Sequence, residues 1–211
     1  MKLTGHSLSF KRGESLIFSE INFSINSGSI CFVKGANGSG KSTLMRLLVG
    51  FLKSETGSIS LDNKDITNDR EIRAENFLYL GHENVIKPQL TVIEQILFWQ
   101  GVSQNTYDFK SDPMKVNSML RKKLYQCSEG QRRRVALTRL SIEKKRFWFL
   151  DEPTVSLDDN NIQLFKESLK NHCNNGGSAF IATHDNIGIK PSFEILLSIK
   201  KSLTEQNDPF I

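Results

Sequence analysis

The chain has 211 residues, 38% of them hydrophobic and 24% charged, with a formal net charge of +5. That is the size and balance of one α/β domain with a real buried core. No apolar run approaches the ~18–20 residues needed to span a bilayer, and the start, Met1 to His6, lacks the apolar core of a signal peptide; both point to the cytosol. Three cysteines, Cys31, Cys127 and Cys173, are odd in number and lack metal-ligand spacing, which argues for reduced thiols rather than a disulfide framework or a zinc site. The positive charge is compatible with nucleic acid or an anionic membrane surface, but surface lysine is common, and nucleic acid is not the expected partner.

In chain order, Leu3, Leu8 and Phe10, then Ile17, Ile21, Phe23 and Ile25, alternate with polar residues and are broken by Gly13 and Asn26-Ser27-Gly28, as short antiparallel strands would be. Ile30 to Val33 is a short apolar run ending at a glycine-rich turn, the pattern of a buried strand. Leu44, Leu47, Leu48 and Phe51 follow at helical spacing, with Gly50 where that helix should fade. Ser58 to Leu61 and Phe77 to Leu80 read as further strands.

From Gly81 the pattern turns helical. Ile93, Ile96 and Leu97 share a face, Asp112-Pro113 opens a second helix as cap and first residue, and a third begins near Gly130 and runs through Val135, Ala136 and Leu140. Strand texture returns at Phe147 to Leu150, followed by a helix with Ile162, Phe165 and Leu169 on one side, a strand at Ala179 to Ala182 and a last strand around Ile195 to Ile199. The expected organisation is a single domain over 1–211 with a helical insertion at about 82–140 and a polar, loosely ordered tail at 200–211.

The segment Gly35-Ala36-Asn37-Gly38-Ser39-Gly40-Lys41-Ser42-Thr43 lies between a strand and a helix. Its glycines let the backbone wrap phosphate oxygens, and successive N–H groups with the helix N-terminus present positive potential to them. Lys41 would reach the β- and γ-phosphates and Ser42 would ligate Mg²⁺. Asp151 ends an apolar strand, which puts its carboxylate at the strand's C-terminal edge, where it can hold the magnesium through its water shell; Glu152 is placed to polarise an attacking water. Between these motifs stands Cys127-Ser128-Glu129-Gly130-Gln131.

With that Ser-x-Gly-Gln turn between the phosphate loop and Asp151-Glu152-Pro153, the set resembles the ATP-binding cassette (ABC) ATPases. The resemblance implies an α/β P-loop fold, a mixed or parallel core with an N-terminal antiparallel subdomain and a helical insertion, that binds ATP and Mg²⁺. It also implies a head-to-tail dimer with a second copy, in which Ser128, Glu129, Gly130 and Gln131 cap the γ-phosphate held by the other subunit. Ser156-Leu157-Asp158 matches the family's dimer-contact loop. His184 stands where the family keeps its switch histidine, contacting the γ-phosphate and the catalytic Glu152.

Two positions depart from the general pattern. His82 stands where a magnesium-contacting, membrane-coupling Gln is usual, and Arg12 where an adenine-stacking aromatic is usual, with Phe10 the alternative if the register is off by two. Cys127 replaces a common Leu, and Glu129 a common Gly. These departures, with Leu80-Gly81-His82-Glu83, Ile86-Lys87, Leu90-Thr91 and the run from Gly130 to Leu137, resemble the ATP-binding subunit of the haem exporter of cytochrome c biogenesis, from about Leu8 to about Ile199. Arg132 to Arg134 read mainly as helix surface and inter-domain contacts.

The resemblance implies an ATP-hydrolysing subunit, peripheral on the cytoplasmic face of the inner membrane. A separate permease would dock near His82 to Trp99 and couple ATP hydrolysis to haem export or haem-carrier release. No Cys-x-x-Cys-His is present, so no direct haem site is evident. Two alternatives stay open: an ABC importer or exporter ATPase for another substrate, and a soluble ABC ATPase in nucleic-acid or iron-sulfur assembly work.

Overall fold

A computed structural model describes residues 1–183 and 187–198; His184, Ile199 and the tail from 200 lie outside the described residues. Strands β1 (Lys2–Arg12) and β2 (Ser15–Asn26) form the expected antiparallel hairpin, with Leu3 opposite Ile25 and Phe10 opposite Phe18. β3 (Ile30–Lys34) leads through the glycine-rich loop into α1 (Lys41–Leu48). Helix α1 stops before Phe51, whose ring is 68% exposed and meets Tyr79 edge-on, so Phe51 is not part of the helix's apolar face.

β4 (Thr56–Leu61) pairs with β1 and with the short β5 (Lys64–Asp65), which closes a four-stranded antiparallel sheet in the order β2-β1-β4-β5. β5 and α2 (Arg70–Asn76) give no sequence signal, because both are short and their residues mostly polar. Helix α2 is held by Asp69, whose side chain accepts from the Ile72 N–H, and by buried Arg73, which donates to the carbonyls of Leu47, Ile66 and Thr67.

β6 (Phe77–Leu80) is followed by α3 (Val92–Ser103), which starts on a full capping box of Thr91 and Glu94. The buried face of α3 is Val92, Gln95, Ile96 and Trp99; Leu97 points outward and is 52% exposed, a correction to its expected face. The helix expected from Asp112-Pro113 does not form. Asp112 sits at φ 30°, and its carboxylate accepts from the N–H groups of Val116 and Asn117 and from the Tyr107 hydroxyl, fixing a turn that yields only a 3₁₀ turn at Asn117–Met119.

Helix α4 (Glu129–Leu137) ends at Thr138 rather than running through Leu140, which belongs to the short α5 (Arg139–Ile142). β7 (Phe147–Asp151), α6 (Asp159–Asn174), β8 (Ser178–Ala182) and β9 (Phe193–Leu196) complete the described chain.

The second sheet is five-stranded and parallel throughout, in the order β6-β7-β8-β3-β9. Both its faces are covered, which is why β7 and β8 read as continuous apolar runs. The two-residue period separates them: Phe147, Phe149 and Phe180 face α1 and the antiparallel sheet, whereas Trp148, Leu150 and Ile181 face α3, α4, α5 and α6. Phe149 and Phe180 stack at 4.9 Å, and Phe77 meets Phe147 and Phe149 edge-on. Fully burying such a ring stabilises the fold by roughly 1.5–3 kcal/mol. Cys127 is buried in the helical-side cluster and fills the place of a small apolar residue.

On that same side the His172 ring stacks on Trp148 at 3.6 Å and 8°, with Nε2 3.3 Å from the Ser178 carbonyl. Burial lowers the His172 pKa, opposed by its backbone hydrogen bonds. The unfolded chain therefore binds the proton more readily, and this site's contribution to stability is lost as pH falls through the ordinary histidine value of about 6.5. A melting series from pH 7 to about 5.5 should show a steeper loss for the wild type than for His172→Phe, which keeps a ring on Trp148 but cannot titrate. Equal slopes would remove His172 from the account.

Candidate nucleotide site

Four neighbouring strands of the parallel sheet, β6, β7, β8 and β3, point their carboxyl ends at one edge. That edge is where open α/β sheets bind ligands. It collects the loop Gly35 to Gly40 after β3, Gly81 and His82 after β6, Asp151 and Glu152 at the end of β7, and Thr183 after β8.

In the loop, Ala36, Asn37 and Gly38 are exposed, Gly35, Gly40 and Ser42 are half-buried, and Ser39, Lys41 and Thr43 are buried. Gly40 is the N-cap of α1 at φ 98°, ψ 13°, a left-handed conformation that favours glycine, and a Cβ there would run into Ile17. No side chain caps α1, so its first N–H groups face the loop's interior. The Ser39 hydroxyl is buried without a protein partner. Lys41 folds back over the loop, its ammonium donating to the carbonyls of Gly35 at 2.8 Å and Ala36 at 3.1 Å. Burial lowers the Lys41 pKa, and the carboxylates of Glu152 and Asp151 pull it back up. An uncapped helix end, an unpartnered hydroxyl and a buried ammonium are the donors a polyphosphate requires.

Asp151 is buried, and its Oδ2 accepts from the Tyr79 hydroxyl at 3.3 Å. Tyr79 in turn takes a side-chain hydrogen bond from Arg46 of α1, while burial raises its pKa. Tyr79 and Arg46 escape sequence reading because their link to Asp151 spans three elements. The pairing of a half-buried Ser42 with a held carboxylate at Asp151 fits a hard divalent cation with oxygen ligands.

Glu152 adopts φ 49°, a left-handed backbone that costs an ordinary residue about 1–2 kcal/mol. Its N–H is fixed by the Ala182 carbonyl at 2.8 Å, and its carboxylate lies 3.7 Å from Nδ1 of His82. His82 is thus brought to Glu152, as an exposed ring beside it.

Ser128 is the N-cap of α4 in a complete capping box. Its Oγ accepts from the Gln131 N–H at 3.2 Å, and its own N–H donates to the Gln131 side chain at 3.1 Å. Gly130 packs against the carbonyl of Ser156 so closely that a Cβ would collide with it. Ser156 is exposed at φ 65°, Leu157 is half-buried, and Asp158 caps α6 through the Asn161 N–H at 2.8 Å. Glu129 is tied to Asn84 at 2.7 Å.

Arg133 corrects the reading of Arg132 to Arg134 as helix surface: it is 3% exposed, and its guanidinium spans from Gly81 to Pro153. Arg12 ends β1 at the exposed hairpin tip; from the hairpin it is Ile17 and Phe18, not Arg12, that approach Gly40. Phe10 stacks on Phe18 at 6.1 Å.

The profile of the ABC transporter family matches residues 18–155. The cytochrome c biogenesis ATP-binding export protein CcmA of Rhizobium johnstonii is 34% identical over 205 residues, covering 94% of this chain and 95% of that one. Among solved structures, a putative ABC transporter ATP-binding protein from Pyrococcus furiosus superposes with a TM-score of 0.79 at 22% identity, covering 93% of this chain and 98% of that one. A dimeric ATP-binding cassette in a post-hydrolysis state, bound to ADP and Pi, gives a TM-score of 0.76 at 23% identity over 94% and 97% of the two chains.

Proposed function

The chain belongs to the ABC transporter family, and on that premise we propose that it is the ATP-hydrolysing subunit of a membrane complex that powers haem export or haem-carrier release in c-type cytochrome biogenesis. The observation that carries the chemistry is the convergence of Lys41, Asp151 and Glu152 at the carboxyl edge of the parallel sheet. The pathway rests on the near full-length likeness to the cytochrome c biogenesis export protein.

In this reading the loop from Gly35 to Thr43 and the Lys41 ammonium bind the phosphates of ATP. Magnesium, held by Ser42 and Asp151, would neutralise charge on the β- and γ-phosphate oxygens. Glu152 accepts a proton from the water that bonds to the γ-phosphorus in line, as the bond to the bridging oxygen breaks and ADP leaves. His82 sits beside Glu152, where it is proposed as the magnesium-contacting, membrane-coupling residue. His184 is proposed as the switch histidine. Ser128 and Gly130, the latter packed against Ser156 of its own chain, would meet the γ-phosphate held by a second copy in a head-to-tail dimer, with Ser156, Leu157 and Asp158 at the contact.

Among the described residues no helix is long and apolar enough to cross a membrane. The outer side of α3 and the loop before it expose Val85, Leu97, Phe98 and Val102, an apolar surface suited to a docking permease. The chain would then be peripheral on the cytoplasmic face of the inner membrane.

The test is genetic and biochemical together. Deleting the gene should abolish covalent haem staining of c-type cytochromes, and the wild-type chain, but not Glu152→Gln, should restore it. Intact c-type cytochromes in the deletion strain would overturn the pathway. The ATPase should move to the membrane fraction when its polytopic partner is coexpressed; a soluble enzyme stimulated by DNA or RNA would favour nucleic-acid work instead.

A further inference from the structure

Arg133 projects from α4 to the end of β7 and the turn that follows it. Its Nε donates to the Pro153 carbonyl at 3.1 Å, and one terminal nitrogen donates to the carbonyls of Asp151 at 3.1 Å and Glu152 at 2.7 Å. The other terminal nitrogen donates to the Gly81 carbonyl at 3.0 Å and to Oδ1 of Asn84 at 3.2 Å, with the His82 carbonyl at 3.4 Å. One planar fork therefore gathers three successive carbonyls of the 151–153 turn and ties them to the loop that carries His82. A lysine, with a single nitrogen, cannot reach both sets.

We propose that Arg133 is a positioning residue for ATP hydrolysis, holding Glu152 in its left-handed turn, and that Asn84 extends this link to Glu129 in the Ser128 to Gln131 turn. Left-handed backbone at a non-glycine residue persists only where its surroundings over-determine it. Here the clamp is two-sided: the Glu152 N–H is fixed by β8 through Ala182, and its carbonyl by Arg133. The Asn84 carboxamide accepts from Arg133 with its oxygen and donates to Glu129 Oε1 at 2.7 Å with its nitrogen, so both ends are used in the one orientation that satisfies both partners. Arg132 approaches the other oxygen of Glu129 at 3.5 Å. A rotation of the α4 N-terminus relative to the sheet thus pulls on the Glu152 peptide through two side chains. Glu129 supplies a carboxylate for that link.

The inference rests on the reading of Glu152 as the group that takes the proton of the attacking water. It is tested on the full chain, alone and in membranes with its coexpressed partner, by steady-state ATP hydrolysis and thermal melting of Arg133→Lys and Asn84→Ala. Arg133→Lys should lower kcat about 10- to 100-fold and leave the KM for ATP within about twofold, because the phosphate loop is untouched and only the base is displaced. Asn84→Ala, at a half-buried loop position, should lower kcat about threefold with an unchanged melting temperature, and it carries the test if Arg133→Lys does not fold. An unchanged kcat in the folded variants, or a loss confined to KM, overturns the positioning role while leaving the proposed activity standing. A wild-type chain that hydrolyses no ATP in either setting overturns both.

Discussion

Replacing Glu152 with glutamine is expected to leave ATP binding intact and to lower turnover by about 10²- to 10⁴-fold, the range that a positioned general base supplies. The substitution is nearly isosteric, and the backbone that places residue 152 is fixed by Ala182 and Arg133 rather than by the side chain, so the φ of 49° should survive it. What is lost is the carboxylate charge, both as the acceptor of the water's proton and as a partner of His82 3.7 Å away. Because bound ATP can no longer be consumed, the proposed two-chain sandwich should accumulate, visible as an ATP-dependent shift to twice the monomer mass in size-exclusion light scattering. Hydrolysis at the wild-type rate would remove Glu152 from the role of base.

The residues of this site were legible where the chain writes function and local structure in the same few positions. The phosphate loop needs a strand before it and a helix after it, and the 30–34 and 41–48 elements stand where the apolar pattern puts them. Asp151 follows a run buried on both faces, which only a parallel sheet covered on both sides makes stable. Legibility failed where a side chain works across elements. Arg133 belongs to a run of three arginines that composition assigns to solvent, yet only the fold places six acceptors around that one guanidinium. Tyr79 reads as one more aromatic in a strand, until β6 is paired with β7 and its hydroxyl reaches Asp151. Asp112-Pro113 carries a helix-start signal, but its carboxylate is spent on two backbone N–H groups and the Tyr107 hydroxyl, and a turn results.

Lys41→Met should separate binding from stability more sharply than any other change in the loop. Methionine keeps an unbranched stem of similar reach but removes the ammonium, and with it the charge that the β- and γ-phosphates would meet. The affinity for ATP should fall about 100-fold, since one desolvated charge-to-phosphate contact is lost in a buried setting. The nucleotide-free fold should not suffer in proportion. Burial lowers the Lys41 pKa, which means that folding works against the charged form. Against this relief stands the loss of Lys41's contacts, among them the hydrogen bonds to the carbonyls of Gly35 and Ala36, of which Ala36 is exposed and can be hydrated instead. The melting temperature without nucleotide is therefore expected to hold or rise. With ATP at 100 times the wild-type Kd, the wild type should gain about 2.7 kcal/mol from binding, and the variant, with a Kd raised 100-fold, only about 0.4 kcal/mol. Thermal melting with and without ATP measures both quantities in one series. An undiminished ATP shift in Lys41→Met would mean that the backbone N–H groups of the loop and the α1 N-terminus hold the phosphates without the lysine.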